Sequence, residues 1–397
     1  MVTRKVNLKR KPNDDTQGRV DPFLVTFVLV MIAFGAVMIF DASVYQANRL
    51  FSDQYYFLRQ HLIWILLGGA LGTAAYLIPY KLILKLSPIL FTVATFLLVA
   101  VLIVGDAVNG SKRWFSLGSL PIQPAEFIKP ILIIFLAGIL AKVDDSAKKG
   151  RLSDFDKFKK RIITFGGPLF LTLLLIIAEP DMGTTLLIGA TAIFMFFLSD
   201  KSSAHLKGTL SLAGIFGVLG VAAGTFASYR MERVKTFFHL LFKGVVEDPN
   251  GTGYQIQQIL IGIGSGGFWG KGFGQSRQRF GYLVENTAFT DSIFAVILEE
   301  LGYIGGVIFV ILWALFLWRI LKLSQNIQDK AGSLTVAGIG IWLTLQTFLN
   351  MAANVGLIPL TGIPLPFFTY GGSNTIVTMI GLGLLLNVSR YAKQTKA

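Results

Sequence analysis

The chain has 397 residues, of which 53% are hydrophobic and only 15% charged, with a net charge of +14 and no cysteine. A soluble domain carries about 25% charge, so this balance excludes an ordinary soluble enzyme and indicates a polytopic membrane protein. The absence of cysteine excludes disulfides and thiolate chemistry. The basic residues sit in short connections between apolar segments and form no separate basic module, which argues against nucleic-acid binding.

Residues 1–21 are polar and basic and read as a disordered cytoplasmic tail, followed by a span of membrane length with no cleavable-signal pattern. Apolar segments predict spans near 22–42, 61–78, 86–104, 126–140, 162–177, 184–198, 208–227, 292–318, 334–355 and 375–388. The expected fold is therefore all-α and polytopic, with about ten transmembrane helices in a unit covering 22–391. A large extracytoplasmic loop, 228–290, separates helices 7 and 8, and a short cytoplasmic tail, 392–397, closes the chain. Basic connections at 142–161, 199–207 and 319–333 place both termini in the cytoplasm. The connections 105–125, 178–183, 228–290 and 356–374 then fall outside, and they hold the unusual sequence.

Asp291 stands where the large loop enters the membrane, a position at which a carboxyl group either caps the following helix or serves as a general base with a raised pKa. Glu126 and Lys129 are spaced i, i+3 on one helix face and read as a buried ion pair or as polar groups facing a cavity. Glu179-Pro180-Asp181 is a tight turn carrying two acids, exposed or clustered with other carboxylates. Lys112 and Arg113 lie on the outer side against the usual bias. With Arg230, Arg233, Lys235, Lys271, Arg277 and Arg279 they suit either lipid headgroups or diphosphate oxygens. The glycine-rich Gly262–Gly267 run lacks a nucleotide fingerprint and reads as a re-entrant or tightly turned segment.

Five blocks in order, NGSKRWFSLGSLPIQPAEFIKP, EPDMGTTLL, GYQIQQILIGIGSGGFWGKGFGQS, TDSIFAVILEELG and GIPLPFFTYGGSN, resemble the motifs of the SEDS family of shape, elongation, division and sporulation proteins. The resemblance covers about residues 22–391, and the basic N-terminal tail and the GKGFGQSRQRFGYL run favour its FtsW-type branch over the RodA-type one. It implies ten transmembrane helices and a peptidoglycan glycosyltransferase that polymerises lipid II at the outer face of the bacterial cytoplasmic membrane. Asp291 matches the family's essential aspartate, and Glu126, Lys129 and Asp181 match polar residues of its central cavity. Lys112, Arg113, Arg230 and Lys271 are candidate substrate-binding cations, with Mg2+ or Mn2+ as a candidate helper. A class B penicillin-binding protein and other divisome or elongasome proteins are the implied partners. Glu179 departs from the usual Gln, and the run from Glu285 to Asp291 is about two residues longer than usual. A lipid II flippase and a non-catalytic division scaffold are the alternatives.

Overall fold

The computed structural model describes residues 20–108, 111–117, 120–148, 154–200, 202–225, 228–246, 248, 251, 253–280 and 287–392. Most of the N-terminal tail, residues 393–397 and part of the Glu285–Asp291 run lie outside the described residues. Asp21, placed by the sequence at the end of the tail, belongs to the fold. It caps α1 (Pro22–Phe51) by accepting from the N–H groups of Phe23 and Leu24, with proline at the first helical position. It also pairs with Arg319.

Helices α2 (Tyr56–Leu77), α3 (Tyr80–Val104), α4 (Pro124–Lys148), α5 (Asp154–Ala178), α6 (Met182–Ser199) and α7 (Ser203–Thr225) follow. After the large connection come α10 (Ile293–Gln325), α11 (Lys330–Asn354) and α12 (Gly372–Ser389). Eight of these helices are long and apolar enough to cross a membrane, and α4 and α7 complete a bundle of ten long helices among the described residues. In the apolar stretches of α11 and α12, 78% and 89% of residues are buried, against 28–33% in α1, α2, α3, α5 and α10. α11 and α12 are thus the core, and the others present apolar side chains such as Leu66, Phe96, Ile103 and Phe170 outward. For a multi-pass membrane protein that outward face meets lipid, where bare apolar surface needs no cover.

The all-α polytopic class holds, and the structure refines the sequence reading in three places. One connection carries a small sheet: strands β1 (Asp106–Val108), β2 (Ser111–Leu117) and β3 (Leu120–Ile122) form an antiparallel meander between α3 and α4. Phe115 faces Ile122 across it, and Trp114 faces Asp106. The large connection is not irregular, since it holds α8 (Ser228–Lys243) and α9 (Tyr254–Gly266). The Gly262–Gly267 run, expected as a re-entrant or tightly turned segment, is helical to Gly266 at the end of α9 and turns at Gly267 (φ 57°). Its glycines serve close approach: a Cβ on Gly266 would lie 2.4 Å from the Leu298 carbonyl oxygen of α10.

The third refinement is a break in α10 at Gly302 (φ 67°, ψ −171°). A broken helix frees carbonyls before the break and N–H groups after it, and buried backbone groups need partners. The segment after α9 supplies all four. Lys271 N and Gly272 N donate to the Glu299 and Glu300 carbonyls, at 3.0 Å each. Tyr303 N and Ile304 N donate to the Gly267 and Phe268 carbonyls, at 2.9 and 3.2 Å. The backbone at Gly302 is left-handed, so a side chain there would be strained. The nine residues from Ile293 to Leu301 stay almost wholly inside the protein, and the lipid-facing stretch starts at Tyr303.

Candidate active site

The connections 105–123, 178–181, 226–292 and 355–371 meet at one end of the bundle. Gln123, just after β3, donates its N–H to Ser373 Oγ at 3.0 Å, and its Nε2 donates to Asp181 Oδ2 at 3.3 Å. Thr369 Oγ1 donates to the Thr290 carbonyl at 2.8 Å. Arg113 donates from Nε to the Glu179 carbonyl (2.6 Å) and from Nη2 to the Pro180 carbonyl (2.5 Å).

Asp291 sits in the turn before α10 and is half-buried. It does not cap the helix: the N-cap is Ser292, with no side-chain capping bond. The Asp291 carboxylate instead accepts from Thr290 Oγ1 at 3.1 Å. Burial pushes its pKa above the ordinary aspartate range, and its own backbone N–H, Thr290, the Arg233 charge and Gln255 oppose that rise without cancelling it. Arg233 of α8 and Gln255 of α9 also line a cavity of about 210 Å³, closed by Phe237, Leu240, Ile256 and the Ile358-Pro359-Leu360 stretch. Arg233 is fixed there by donating to the Leu360 carbonyl at 2.9 Å. A carboxyl group with a raised pKa next to a guanidinium-bearing cavity can take a proton from a hydroxyl group while positive charge meets a leaving anion.

Below this turn, Glu126 and Lys129 form the ion pair that their spacing predicts, at 2.7 Å with both side chains buried. Lys129 also reaches Gln346 Oε1 at 3.3 Å, and Gln346 accepts from Trp342 Nε1 at 2.8 Å. Gln346 Nε2 donates to the Pro364 carbonyl and to Asn374 Oδ1. This chain of bonds links the buried pair to the connection that also touches the Asp291 turn. Asp181 caps α6 through the N–H and hydroxyl of Thr184, both at 2.9 Å. Beside it, Glu179 is fully buried and both carboxyl oxygens are without a hydrogen-bond partner among the described residues. Burial, then the Asp181 charge, push Glu179 up to about 8 against the pull of Arg113.

The remaining expected cations are placed differently. Lys112 is exposed on β2 and donates to the Ile103 carbonyl at 2.9 Å. Lys271 is held by Glu299 at 2.6 Å in a cluster with Ser265 and Ser276, so its charge is matched within the protein rather than left for a phosphate. Arg230 lies in the first turn of α8, and its side chain falls outside the described residues. The expected Mg2+ or Mn2+ finds no group of three or more His, Cys, Asp or Glu that could hold it among the described residues.

Sequence reasoning missed Gln255, Asn350 and Asn354. The last two belong to an amide series, Gln346, Asn350 and Asn354, spaced by four in an apolar helix. That spacing was the available signal, because polar groups inside a membrane segment mark function or packing. It also missed the buried cluster of Asp41, Glu300 and Arg279, where Arg279 pairs with Asp41 and Glu300 accepts from Ser276 N.

The fold and site define a helical polytopic membrane protein whose Asp291 turn lies beside a cavity lined by Arg233, Glu232 and Gln255 at one end of the bundle. Residues 22–394 match the Cell cycle protein family of FtsW, RodA and SpoVE, and the chain belongs to that family. It is 36% identical over 375 residues to Stage V sporulation protein E of Bacillus subtilis, covering 94% of this chain and 98% of that one. It is 35% identical over 383 residues to the probable peptidoglycan glycosyltransferase FtsW of Nitrosomonas europaea, covering 95% and 94%. Among solved structures it is similar to a chain of a peptidoglycan synthase complex that coordinates polymerization and crosslinking (TM-score 0.70, 25% identity, 94% and 98% covered). It is also similar to the rod shape determining protein RodA of Thermus thermophilus (TM-score 0.66, 25% identity, 95% and 98% covered).

Proposed function

We propose that this protein is a peptidoglycan glycosyltransferase of the FtsW type that polymerises lipid II during cell division. The observation that carries the reading is Asp291, a carboxyl group with a raised pKa beside a cavity bearing Arg233 and Gln255. The names carried by its relatives support it. A sugar hydroxyl of one substrate attacks the anomeric carbon of another, the bond from that carbon to the lipid diphosphate breaks, and its electron pair leaves with the diphosphate. The hydroxyl proton passes to Asp291. Arg233, with Arg113 and Lys112 at the same end, supplies positive charge to the departing diphosphate. Glu126, Lys129 and Asp181 shape the polar floor. The leaving group is already an anion-stabilising diphosphate, so a second carboxylic acid is not needed. With no carboxylate or histidine cluster suited to a metal among the described residues, no step is routed through one.

The site end of the bundle faces the outside and both termini the cytoplasm, by the distribution of basic connections. The partner is a class B penicillin-binding protein that crosslinks the strands, a reading supported by the similarity to a synthase complex in which polymerization and crosslinking are coordinated. The test is strand formation from lipid II by the purified protein with its transpeptidase, wild type against Asp291→Asn. Glycan strands from the wild type alone support the reading. Equal activity in both removes Asp291 from the mechanism, and no strands from either, with a verified active transpeptidase, favours a flippase or scaffold.

A further inference from the structure

Asn350 and Asn354 of α11 are only 1% and 2% exposed. A buried amide is unfavourable unless hydrogen-bonded, and these two direct their donors at main-chain carbonyls. Asn350 Nδ2 donates to the Asp291 carbonyl at 2.7 Å and to that of Ile363 at 2.8 Å. Asn354 Nδ2 donates to the same Asp291 carbonyl at 3.0 Å, and to the main-chain and side-chain oxygens of Asn350 at 2.9 and 3.3 Å. Two side chains one helical turn apart therefore converge on one backbone oxygen. The two preceding carbonyls are gripped from the same side: Phe289 O by Tyr370 N at 2.9 Å, and Thr290 O by Thr369 Oγ1 at 2.8 Å. Thr369 is itself fixed, because its Oγ1 accepts from Leu365 N at 2.7 Å.

Three consecutive carbonyls are thus held by α11 and by the connection leading to α12. The Asp291 side chain is left outside this grip and takes only light hydrogen bonds. The N-terminus of α10 does not perform this task, since Ser292 makes no capping bond with its side chain. Fixing the carbonyl of a residue fixes the plane of its peptide unit, and with it the direction in which its Cα–Cβ bond points.

Resting on the assignment of Asp291 as the base, we propose that Asn350 and Asn354 are positioning residues for glycosyl transfer, gripping the Asp291 main-chain oxygen so that its carboxyl group faces the acceptor hydroxyl. Only a hydrogen-bond donor can do this. Aspartate at either position would set acceptor against acceptor, and alanine would leave a buried carbonyl with fewer partners. The two amides share one acceptor, so each partly covers for loss of the other.

The test uses the full chain with its transpeptidase, reconstituted with lipid II, and compares Asn350→Ala, Asn354→Ala, the double variant, the milder Asn354→Ser and Asp291→Asn. Asn387→Ala is the control: Asn387 Nδ2 is a buried amide that grips the Ala75 and Ile78 carbonyls away from the site. Rates are taken per folded molecule. Misplacement of a catalytic group by about 1 Å lowers rate on the order of 100-fold. The expected result is a kcat loss of that order in the double variant and a smaller loss in each single one. KM should stay within about twofold and the acid limb of the pH–kcat profile should move, as expected when a base is misplaced rather than binding lost. Asn387→Ala should lose thermal stability and keep its kcat and pH profile. If Asp291→Asn is inactive while the folded asparagine variants keep wild-type kcat and pH profile, the positioning role is overturned and the base survives. If Asp291→Asn is active, both fall. Should the double variant not fold, an unchanged kcat and acid limb in both folded single alanine variants overturns the proposal.

Discussion

The two ends of the bundle use the same residue types for opposite purposes. At the end away from the site, Asp144 of α4 and Asp200 after α6 are surrounded by Lys157 and Arg161 of α5 and Lys330 of α11. Lys157 lies 2.9 Å from Asp200, Lys330 lies 3.1 Å from Asp144, and Arg161 bonds to both acids. Burial works to raise the Asp200 carboxyl, yet hydrogen bonds from Lys157, Arg161 and the Ser202 N–H hold it below the ordinary carboxylate range. At the site end, the Glu179 carboxyl has no hydrogen-bond partner among the described residues, and the Asp291 carboxylate accepts from the neutral hydroxyl of Thr290. Both of those pKa values rise. Paired acids lock helices together, while acids left without a bonded cation keep a proton-accepting capacity that chemistry can use.

The largest test of this contrast is Asp291→Asn, which should lower polymerisation by about 10²–10⁴-fold while leaving the melting temperature close to wild type. Strand length by gel and thermal unfolding in detergent check the two halves. The mirror experiment is Arg161→Leu at the opposite end. It leaves the buried Asp144 and the half-buried Asp200 without their shared partner, while Lys157 and Lys330 still pair with them, and should cost about 1–3 kcal/mol of stability, with kcat per folded molecule retained. If it instead abolished turnover in folded protein, the division between lock and site would fail.

The raised acids make pH predictions with definite signs. Glu179 stays protonated in the fold up to about 8, whereas in the unfolded chain it ionises near the ordinary glutamate value. The stabilising preference for its neutral form is complete at low pH and is lost as pH climbs from that ordinary value through about 8. Glu179→Gln should therefore flatten the pH dependence of melting temperature and gain on the wild type by on the order of 3 kcal/mol at pH 8. For Asp291, the acid limb of kcat should lie above the ordinary aspartate range of about 4, and activity should fall as pH drops through it. The smallest effect belongs to Lys112→Ala. Lys112 is exposed, so stability should stay within about 0.5 kcal/mol, and a modest rise in KM would mark its share in holding the diphosphate.

Much of the site was legible because its signals are local. An acid at the end of an apolar segment, an i, i+3 Glu126–Lys129 pair and a Glu-Pro-Asp turn can each be read without knowing the fold, and the pair appears as its spacing requires. Lys271 was legible as a cation but not as one already matched, because Glu299 lies 28 residues away in sequence. Asn350 and Asn354 were passed over because amides carry no charge, although their four-residue spacing was present in the chain.

By itself the sequence determined the class of molecule, since apolar length sets what spans a bilayer regardless of which helix packs on which. It determined which residues could carry the chemistry. Tertiary structure alone decided which acids stay unpaired. It also placed the break at Gly302, with its four backbone partners in the segment after α9, and brought two asparagines of α11 onto the carbonyl of Asp291. Those outcomes join residues up to 63 positions apart, and a hydrogen bond is fixed by the distance and direction between atoms, which spacing along one chain does not contain.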